Sequence, residues 1–474
     1  MLKQWNHLYL ARVCVEAQTP ISIQSGQAEM SYDTSLIRDA NGLPTLPATS
    51  IRGVLRHLFQ AQFDEAQTHI LFGYAQTNTK EPEDQTSRIQ ISWGLIHDKH
   101  NRPVEGLVYP SEDADFLDQL AQSQPIKRER VRLNHKGCAA GKDENRGKFD
   151  ITACPKGARF TFEIKYWSDS ANDTHWEELM ALLQKPNFRL GSSTRSGFGA
   201  LSIQQIESHH FDLKNPEDVA KWCALDRSVA INNTNTQPPS PNEQAQDSVR
   251  IRLALKADGF VRIGGGDVPM HEASDPADLR MQSESYIQWT NDQGRFSKRK
   301  PLIPASSIKG AIAHRTLYHS NRLKGQFADQ LTDELFISAA TREHHTELTD
   351  LLGYAKNDSD EGRVGKILID DIYLAENAPT SQLWHNRIDR FTGGVIDGAL
   401  FTEEVLFEPE IEFDLTILDA DSLSDLAQQA LKATLNDLCH GRLPLGAAGS
   451  RGLGSFTGEY HWPEHTTSQA KGEQ

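Results

Sequence analysis

One series of motifs occurs twice in this chain, in the same order. LPATSIRGVLRH at residue 46 returns as IPASSIKGAIAHR at 303, and LFGYA at 71 returns as LLGYA at 351. RIQISWGLI at 88 is answered by KILIDDIYL at 366, and FTFEI at 160 by IEFDLTI at 411. The Gly-rich LGSSTRSGFGALSI at 190 is answered by LGAAGSRGLGSFTG at 445. Spacing is held as well as order: Gly53 and Gly310 stand 257 positions apart, Gly197 and Gly452 stand 255 apart. A chain of 474 residues exceeds one ordinary core. The repeat divides it into two copies of one domain, residues 1–228 and 249–462. Between them, 229–248 includes the Asn-, Gln- and Pro-rich run NNTNTQPPSPNEQAQDS and reads as a linker; 463–474 reads as a flexible tail.

Each copy reads as strand, long loop, helix, strands, a basic or Gly-rich excursion, strand, helix, Gly-rich turn and strand. Ile51, Val54, Leu55, Leu58 and Phe59 fall at helical spacing after Pro47, with Ser50 in N-cap character. WEELMALLQK and LSDLAQQALKATLNDL mark a second helix in each copy. Strands mixed with two helices predict an α+β fold, two tandem ferredoxin-like domains. A doubly wound sheet would need more alternating helices than the sequence carries.

No apolar run approaches the roughly 18 residues of a membrane span, and the N-terminus alternates like a strand rather than a signal peptide. Cys14, Cys138, Cys154, Cys223 and Cys439 are scattered, which fits a reducing cytoplasm. The net charge of −16 argues against bulk nucleic-acid binding but leaves room for a local basic groove. Two segments supply one. Residues 126–148 hold eight Lys or Arg, among them Lys127, Arg128, Arg130 and Arg132, against three acids. Residues 294–315 hold six, including Lys298, Arg299 and Lys300, and no acid. Such patches are either solvated loops or the footprint of a nucleic-acid groove.

The repeated motifs admit the same two readings. Gly191, Gly197 and Gly199, matched by Gly446, Gly452 and Gly454, either permit a tight turn or let backbone approach a phosphate, with Arg195 and Arg451 as cations. At the helix start, Ser50, Arg52 and Arg56 and their counterparts Ser307 and Lys309 combine hydroxyls and charge with the helix dipole. No GK[ST] occurs, so nucleotide triphosphate hydrolysis has no support. His135, Cys138 and Cys154 fall short of a closed zinc site, and zinc is not expected. Asp33 stands in a polar loop before the first helix motif. A carboxylate beside a phosphate groove makes sense if it holds a divalent metal or takes part in strand cleavage.

The combined order resembles the RAMP superfamily of CRISPR-associated proteins, and within it the repeated backbone subunit of type III effector complexes. The resemblance rests on a loop Asp, the Ile-Arg-Asp at 37–39, the doubled Pro-Ala-(Thr/Ser)-Ser-Ile-(Arg/Lys)-Gly, the Gly-Tyr pairs and the closing Gly-rich segments. RIDRFTGGVIDGALFTEEVLFEP at 387–409 is similar to that subunit's Asp-Arg-x-Thr segment. Two fused copies look like the fused backbone proteins of subtype III-D. The resemblance implies RNA-recognition-type domains, each with a β-hairpin thumb at about 126–150 and 386–404, that bind a CRISPR guide RNA alongside other complex subunits. It implies cleavage of guide-paired target RNA by Asp33 with a divalent cation, Mg²⁺ being the expected one. Arg387 and Arg390 then join the RNA-binding set. In the second copy, alignment on Pro47 and Pro304 sets Asp33 near Ser283, with Glu284 as a possible second site. Three rivals stand beside this reading: a non-catalytic RNA-binding subunit, the guide-processing endoribonuclease of the same superfamily, and a nucleic-acid-independent scaffold, which only the net charge of −16 favours.

Overall fold

The computed structural model describes residues 5–26, 35–75, 84–108, 114–122, 126–131, 133, 148–231, 248–269, 277–332, 345–354, 362–375 and 378–463. Asp33, Arg132, His135, Cys138, most of the 229–248 segment and nearly all of the 463–474 tail lie outside these residues.

The first half runs β1 (His7–Ala17), α1 (Ala48–Gln62), α2 (Glu65–Phe72), β2 (Ile89–Ile91), β3 (Leu95–Ile96), α3 (Ala114–Ala121), β4 (Ile126–Val131), β5 (Lys148–Ala153), β6 (Arg159–Ser168), α4 (Thr174–Leu182), β7 (Leu201–Asp212) and α5 (Pro216–Ala224). The strands order as β2-β6-β1-β7, with β3 also on β6, every pair antiparallel. β1 is central and almost wholly buried, which its run LYLARVCV suits: both faces carry mostly apolar side chains. α1 buries Ile51, Leu55, Leu58 and Phe59, one face of a helix, and α4 buries Trp176, Leu179 and Leu182. These side chains share one cluster with Val13, Val15, Phe160 and Phe162 from the sheet.

The second half runs β8 (Ser248–Ala257), β9 (Phe260–Val261), β10 (Ser283–Glu284), β11 (Ile287–Thr290), β12 (Gln293–Phe296), β13 (Lys300–Ile303), α6 (Ala305–Leu323), α7 (Thr346–Leu352), β14 (Ile367–Ile369), β15 (Ile372–Tyr373), β16 (Thr380–His385), β17 (Phe401–Phe407), β18 (Glu410–Leu418), α8 (Asp425–Cys439) and β19 (Phe456–His461). Its sheet orders as β14-β18-β8-β19, the arrangement of the first half strand for strand. α6 and α8 pack over it, Thr316 and Thr434 sharing a buried 3.0 Å hydrogen bond between them. A hairpin stands off each sheet: β4–β5 in the first half, β16–β17 in the second.

The halves are clasped by β11–β12. Ile287 enters the apolar cluster of the first half, and its N–H donates to Lys156 O at 2.9 Å. Trp289 Nε1 donates to Gly157 O at 2.7 Å, and the Arg159 guanidinium lies 4.3 Å over the Trp289 ring. Gly157, at φ +83°, is obligatory here, because a β-carbon would come within 2.0 Å of Ile287 O. No helix among the described residues is long and apolar enough to cross a membrane.

Candidate nucleic-acid interface

The two Gly-rich segments fold alike. Each makes a single 3₁₀ turn, Thr194–Ser196 and Gly449–Arg451, entered through a left-handed residue, Ser193 or Ala448. The turn register pairs Arg451 with Ser196 rather than with Arg195, one position from the sequence expectation. The glycines answer to backbone contacts. A β-carbon on Gly191 or Gly446 would lie 2.4 Å from the carbonyl of Ser22 or Arg262, and one on Gly199 or Gly454 just over 2 Å from Leu190 O or Leu445 O. Gly197 and Gly452 both hold left-handed φ, but only Gly197 is covered: its β-carbon would meet Ala305 of α6 at 2.4 Å, while Gly452 faces open space. The first Gly-rich turn is thus packed against the second half, and the second is not.

Beside the first turn, β4 presents its cations to Phe198, whose ring lies 4.8 Å from the Arg128 guanidinium and 4.7 Å from that of Arg130. The two cations differ. Arg128 is 3% exposed and grips Glu284 with two hydrogen bonds, Nε–Oε1 at 2.6 Å and Nη2–Oε2 at 2.8 Å. Its Nη1 lies 2.7 Å from Asp371 Oδ2. Burial opposes the charge on Arg128, but Asp371 and Glu284 outweigh it and hold the guanidinium firmly protonated. Arg128 therefore joins the two halves and does not face a ligand, a correction to its assignment as a phosphate contact. Its turn inward follows from strand alternation: Arg128 and Arg130 share one face of β4, and that face is pressed between Phe198 and the second half. Among the described residues Arg130 has no acidic contact; its Nη2 donates to Ser196 O at 3.4 Å and its buried Nε has no partner. Burial, then the neighbouring Arg128, pushes its pKa down to about 10. Arg195 is in the same condition, its pKa lowered to about 10 by burial and by Arg189, its Nε unpartnered. Lys127 pairs within the hairpin with Asp150 at 3.5 Å and Glu129 at 3.7 Å.

At the helix starts the observed caps differ from the expected ones. α1 begins at Ala48 after Pro47, so Ser50 sits inside the first turn and does not cap. α6 begins at Ala305, again with Ser307 inside; the Ala305 N–H donates instead to Asp371 Oδ1 at 2.8 Å. Arg52 and Arg56 turn to the end of α2, donating to the carbonyls of Phe72 and Gly73. In the first copy the cations of the SIRG motif thus cap the helix C-terminus formed by the FGY motif. Both arginines keep part of their surface in solvent. Lys309 lies half-buried one turn into α6. Arg299 donates to Ser283, and Lys300 stands 5.2 Å over the Tyr286 ring, while Lys298 is exposed.

The second hairpin carries the most accessible features. Asp389 Oδ1 accepts from the N–H groups of Phe391 and Thr392, each at 2.8 Å, and these bonds hold its carboxyl below the usual range. The turn so formed leaves Phe391 99% exposed, flanked by exposed Arg387, Ile388, Arg390 and Val395. The first hairpin exposes Val131 and Phe149 toward its corresponding end.

Backbone pairing revises the alignment of the acidic loops. Ile37 N–H donates to Ile23 O, as Gln282 N–H donates to Ile263 O; Arg38 bridges Pro44, as Ser283 bridges Pro301. Arg38 thus matches Ser283; counted back five positions along the sequence, Asp278 stands where the first copy has Asp33, which lies outside the described residues. Glu284 matches Asp39 and is 3% exposed, committed to Arg128, Tyr373 and Gln282. It is not placed to hold a metal beside a ligand. Asp278 is exposed, and its Oδ2 accepts from Thr402 N–H at 2.8 Å and Thr402 Oγ1 at 3.1 Å at the foot of the second hairpin. Sequence comparison missed this because β11–β12 is an insertion between Ser283 and Pro304 that an alignment counted back from Pro304 cannot see. Among the described residues no three His, Cys, Asp or Glu side chains converge on one point; Cys154 is buried, its thiol pushed up to about 12.

The sequence profile of the RAMP superfamily matches residues 14–202 and 254–457. No curated protein matches the chain. A solved structure, the "Cryo-EM structure of the Type III-B Cmr-beta bound to cognate target RNA", contains a chain 15% identical, covering 42% of this chain and 60% of that one, with a TM-score of 0.29.

Proposed function

The chain belongs to the RAMP superfamily, and from that premise we propose that it is an RNA-binding backbone subunit of a type III CRISPR effector complex. In this reading residues 1–228 and 249–462 are two RAMP domains of ferredoxin-like character, fused through 229–248 as in subtype III-D. Each holds part of one guide RNA. The hairpins β4–β5 and β16–β17 act as thumbs, inserted at the guide–target duplex.

The observation that carries the reading is the repeated pairing of a Gly-rich turn with a hairpin whose outer end is basic and apolar at once. Phe391, fully exposed directly after Arg390 in a turn that also exposes Arg387, has no role in the core; an aromatic ring with cations on the same turn suits a stacked or splayed base beside its phosphates. Arg130 and Arg195 are half-buried cations with no acidic side chain in ion-pair contact among the described residues, which leaves their charge to a phosphate.

Cleavage of the paired target RNA falls in this proposal on Asp33 and, by the backbone register, on Asp278 in place of Glu284. Each offers one carboxylate oxygen pair to a divalent cation such as Mg²⁺, which would lower the cost of charge building on the scissile phosphate. At Asp278 both hydrogen bonds from Thr402 fall on Oδ2, which fixes the carboxylate. Purification of the native complex followed by RNA extraction tests the reading. It calls for RNA of uniform length bound in stoichiometric amount; a complex free of RNA overturns it.

A further inference from the structure

The segment that carries Asp278 runs alongside the foot of the second hairpin. Leu279 bridges Glu403 in parallel: its N–H donates to Thr402 O at 3.0 Å, and Glu404 N–H donates to Leu279 O at 2.9 Å. Met281 N–H adds a bond to Glu404 Oε2 at 3.2 Å. Asp278 and Thr402 are tied reciprocally. The Thr402 hydroxyl accepts from the Asp278 N–H at 3.1 Å and donates to Asp278 Oδ2 at 3.1 Å, and the Thr402 N–H donates to the same oxygen at 2.8 Å. One residue therefore holds both the backbone and the carboxylate of Asp278.

The foot itself is fixed. Glu403 is fully buried; Arg262 Nε donates to its Oε2 at 2.7 Å, and His385, on the opposite strand of the hairpin, lies 2.6 Å from its Oε1. Thr402 is 7% exposed, whereas Asp278 is open to solvent. The paired strands run from Thr380 and Leu406 to His385 and Phe401, so one ladder joins this anchor to the turn that carries Phe391. The first half is built differently at this place. Ile21 pairs with Cys154 as Val261 pairs with Leu406, so Asp150 stands where the second half has Thr402. An ionised carboxylate has no hydrogen to donate to another acid, and Asp150 lies 3.5 Å from Lys127.

Resting on the reading of Asp278 as a carboxylate that serves RNA cleavage, we propose that Thr402 is a positioning residue for that reaction, through which the foot of the second hairpin sets the place of the Asp278 carboxylate. A buried threonine on a rigid ladder orients an exposed acid, and the acid keeps a fixed place relative to an RNA engaged by the same hairpin. An interaction that orients a reacting group acts on the rate of the step rather than on binding. The effect is confined to the cut that depends on Asp278, because the first half has no threonine at the matching place. The cut that depends on Asp33 is therefore an internal control.

The test uses the assembled complex with guide RNA, 5′-labelled target RNA and saturating Mg²⁺, and follows each cut under single-turnover conditions. Thr402→Val keeps the shape of the side chain and the backbone N–H but removes the hydroxyl. It is expected to slow the Asp278-dependent cut on the order of 10²-fold, the cost of about 1 Å of misplacement, and to leave the Asp33-dependent cut and target affinity unchanged. Thr402→Ser, which keeps a hydroxyl, is expected to cut at close to the wild-type rate. Gel filtration identifies a variant that does not assemble; Thr402→Ala then takes the place of Thr402→Val under the same criteria. A wild-type rate for the Asp278-dependent cut in Thr402→Val, equal slowing of both cuts, or no recovery in Thr402→Ser overturns the proposal. Asp278→Ala, measured beside them, separates the two levels. A second cut that survives Asp278→Ala, or a wild type that lacks that cut, overturns the reading of Asp278 itself, whereas a cut lost with Asp278→Ala and untouched by Thr402→Val removes only the role of Thr402.

Discussion

Arg128 and Glu284 meet as a two-point fork at 2.6 and 2.8 Å, although one stands on the first hairpin and the other beside the clasp of the second half. Asp371 closes the group at 2.7 Å and at the same time caps α6. The basic excursion that reads in sequence as an RNA-facing loop thus holds the joint between the copies. Arg128→Ala leaves two carboxylates buried without a cation, and truncation of one partner in such a group costs about 3–5 kcal/mol. The expected result is a lower midpoint in chemical unfolding together with easier separation of the halves. Arg130→Ala, which breaks no ion pair, is expected to change RNA affinity and leave the midpoint nearly in place.

Gly197 and Gly452 have the same left-handed backbone but different neighbours. Gly452→Ala costs only the conformational penalty, about 1–2 kcal/mol. Gly197→Ala adds a collision with Ala305 across the joint, so its loss of stability exceeds that of Gly452→Ala. Paired denaturant titrations of the two variants read the difference directly.

His97 supplies a pH dependence. It is 4% exposed, 2.7 Å from Thr161 Oγ1 and 2.9 Å from Asn101 Oδ1, and burial pushes its pKa down from 6.5 to about 4. The folded state resists protonation that the unfolded chain accepts. This contribution to stability is therefore whole above pH 6.5 and declines as pH falls toward about 4, at about 1.4 kcal/mol per pH unit. His97→Gln is expected to flatten the stability curve in that window, whatever its effect at neutral pH.

Phe391 is 99% exposed, and its removal costs the fold nothing. Phe391→Ala is expected to leave the melting temperature unchanged and to weaken binding of RNA by about 1–3 kcal/mol, the loss of one base–aromatic contact. Retained affinity would assign the ring to a protein contact instead.

The repeat, two helices in each copy and the first strand were legible because each rests on local patterns: apolar spacing at α1 and α8, alternation at the N-terminus, and Gly at the closing turns; α2, α3, α5 and α7 were not expected. The joint was not. Arg128, Arg130 and Arg195 look identical as letters, and only the position of Phe198, Glu284 and Asp371 in space separates a buried tie from a half-buried cation. Arg52 likewise reads as a phosphate ligand until α2 is seen to end against it. Glu403 and Asp278 left no usable signal, the first lost in the acidic run FTEEV and the second displaced by the β11–β12 insertion. Asp39 opposite Glu284 shows how far the register moves once the insertion is placed.

The account stands or falls on two equivalent carboxylates acting on one RNA. The direct measurement maps 5′-labelled target RNA cut by the assembled complex with Mg²⁺, for wild type, Asp33→Ala and Asp278→Ala. The account predicts two cuts in the wild type, one lost with each substitution while target binding persists, and none with EDTA. A full wild-type fragment ladder from both variants would contradict it.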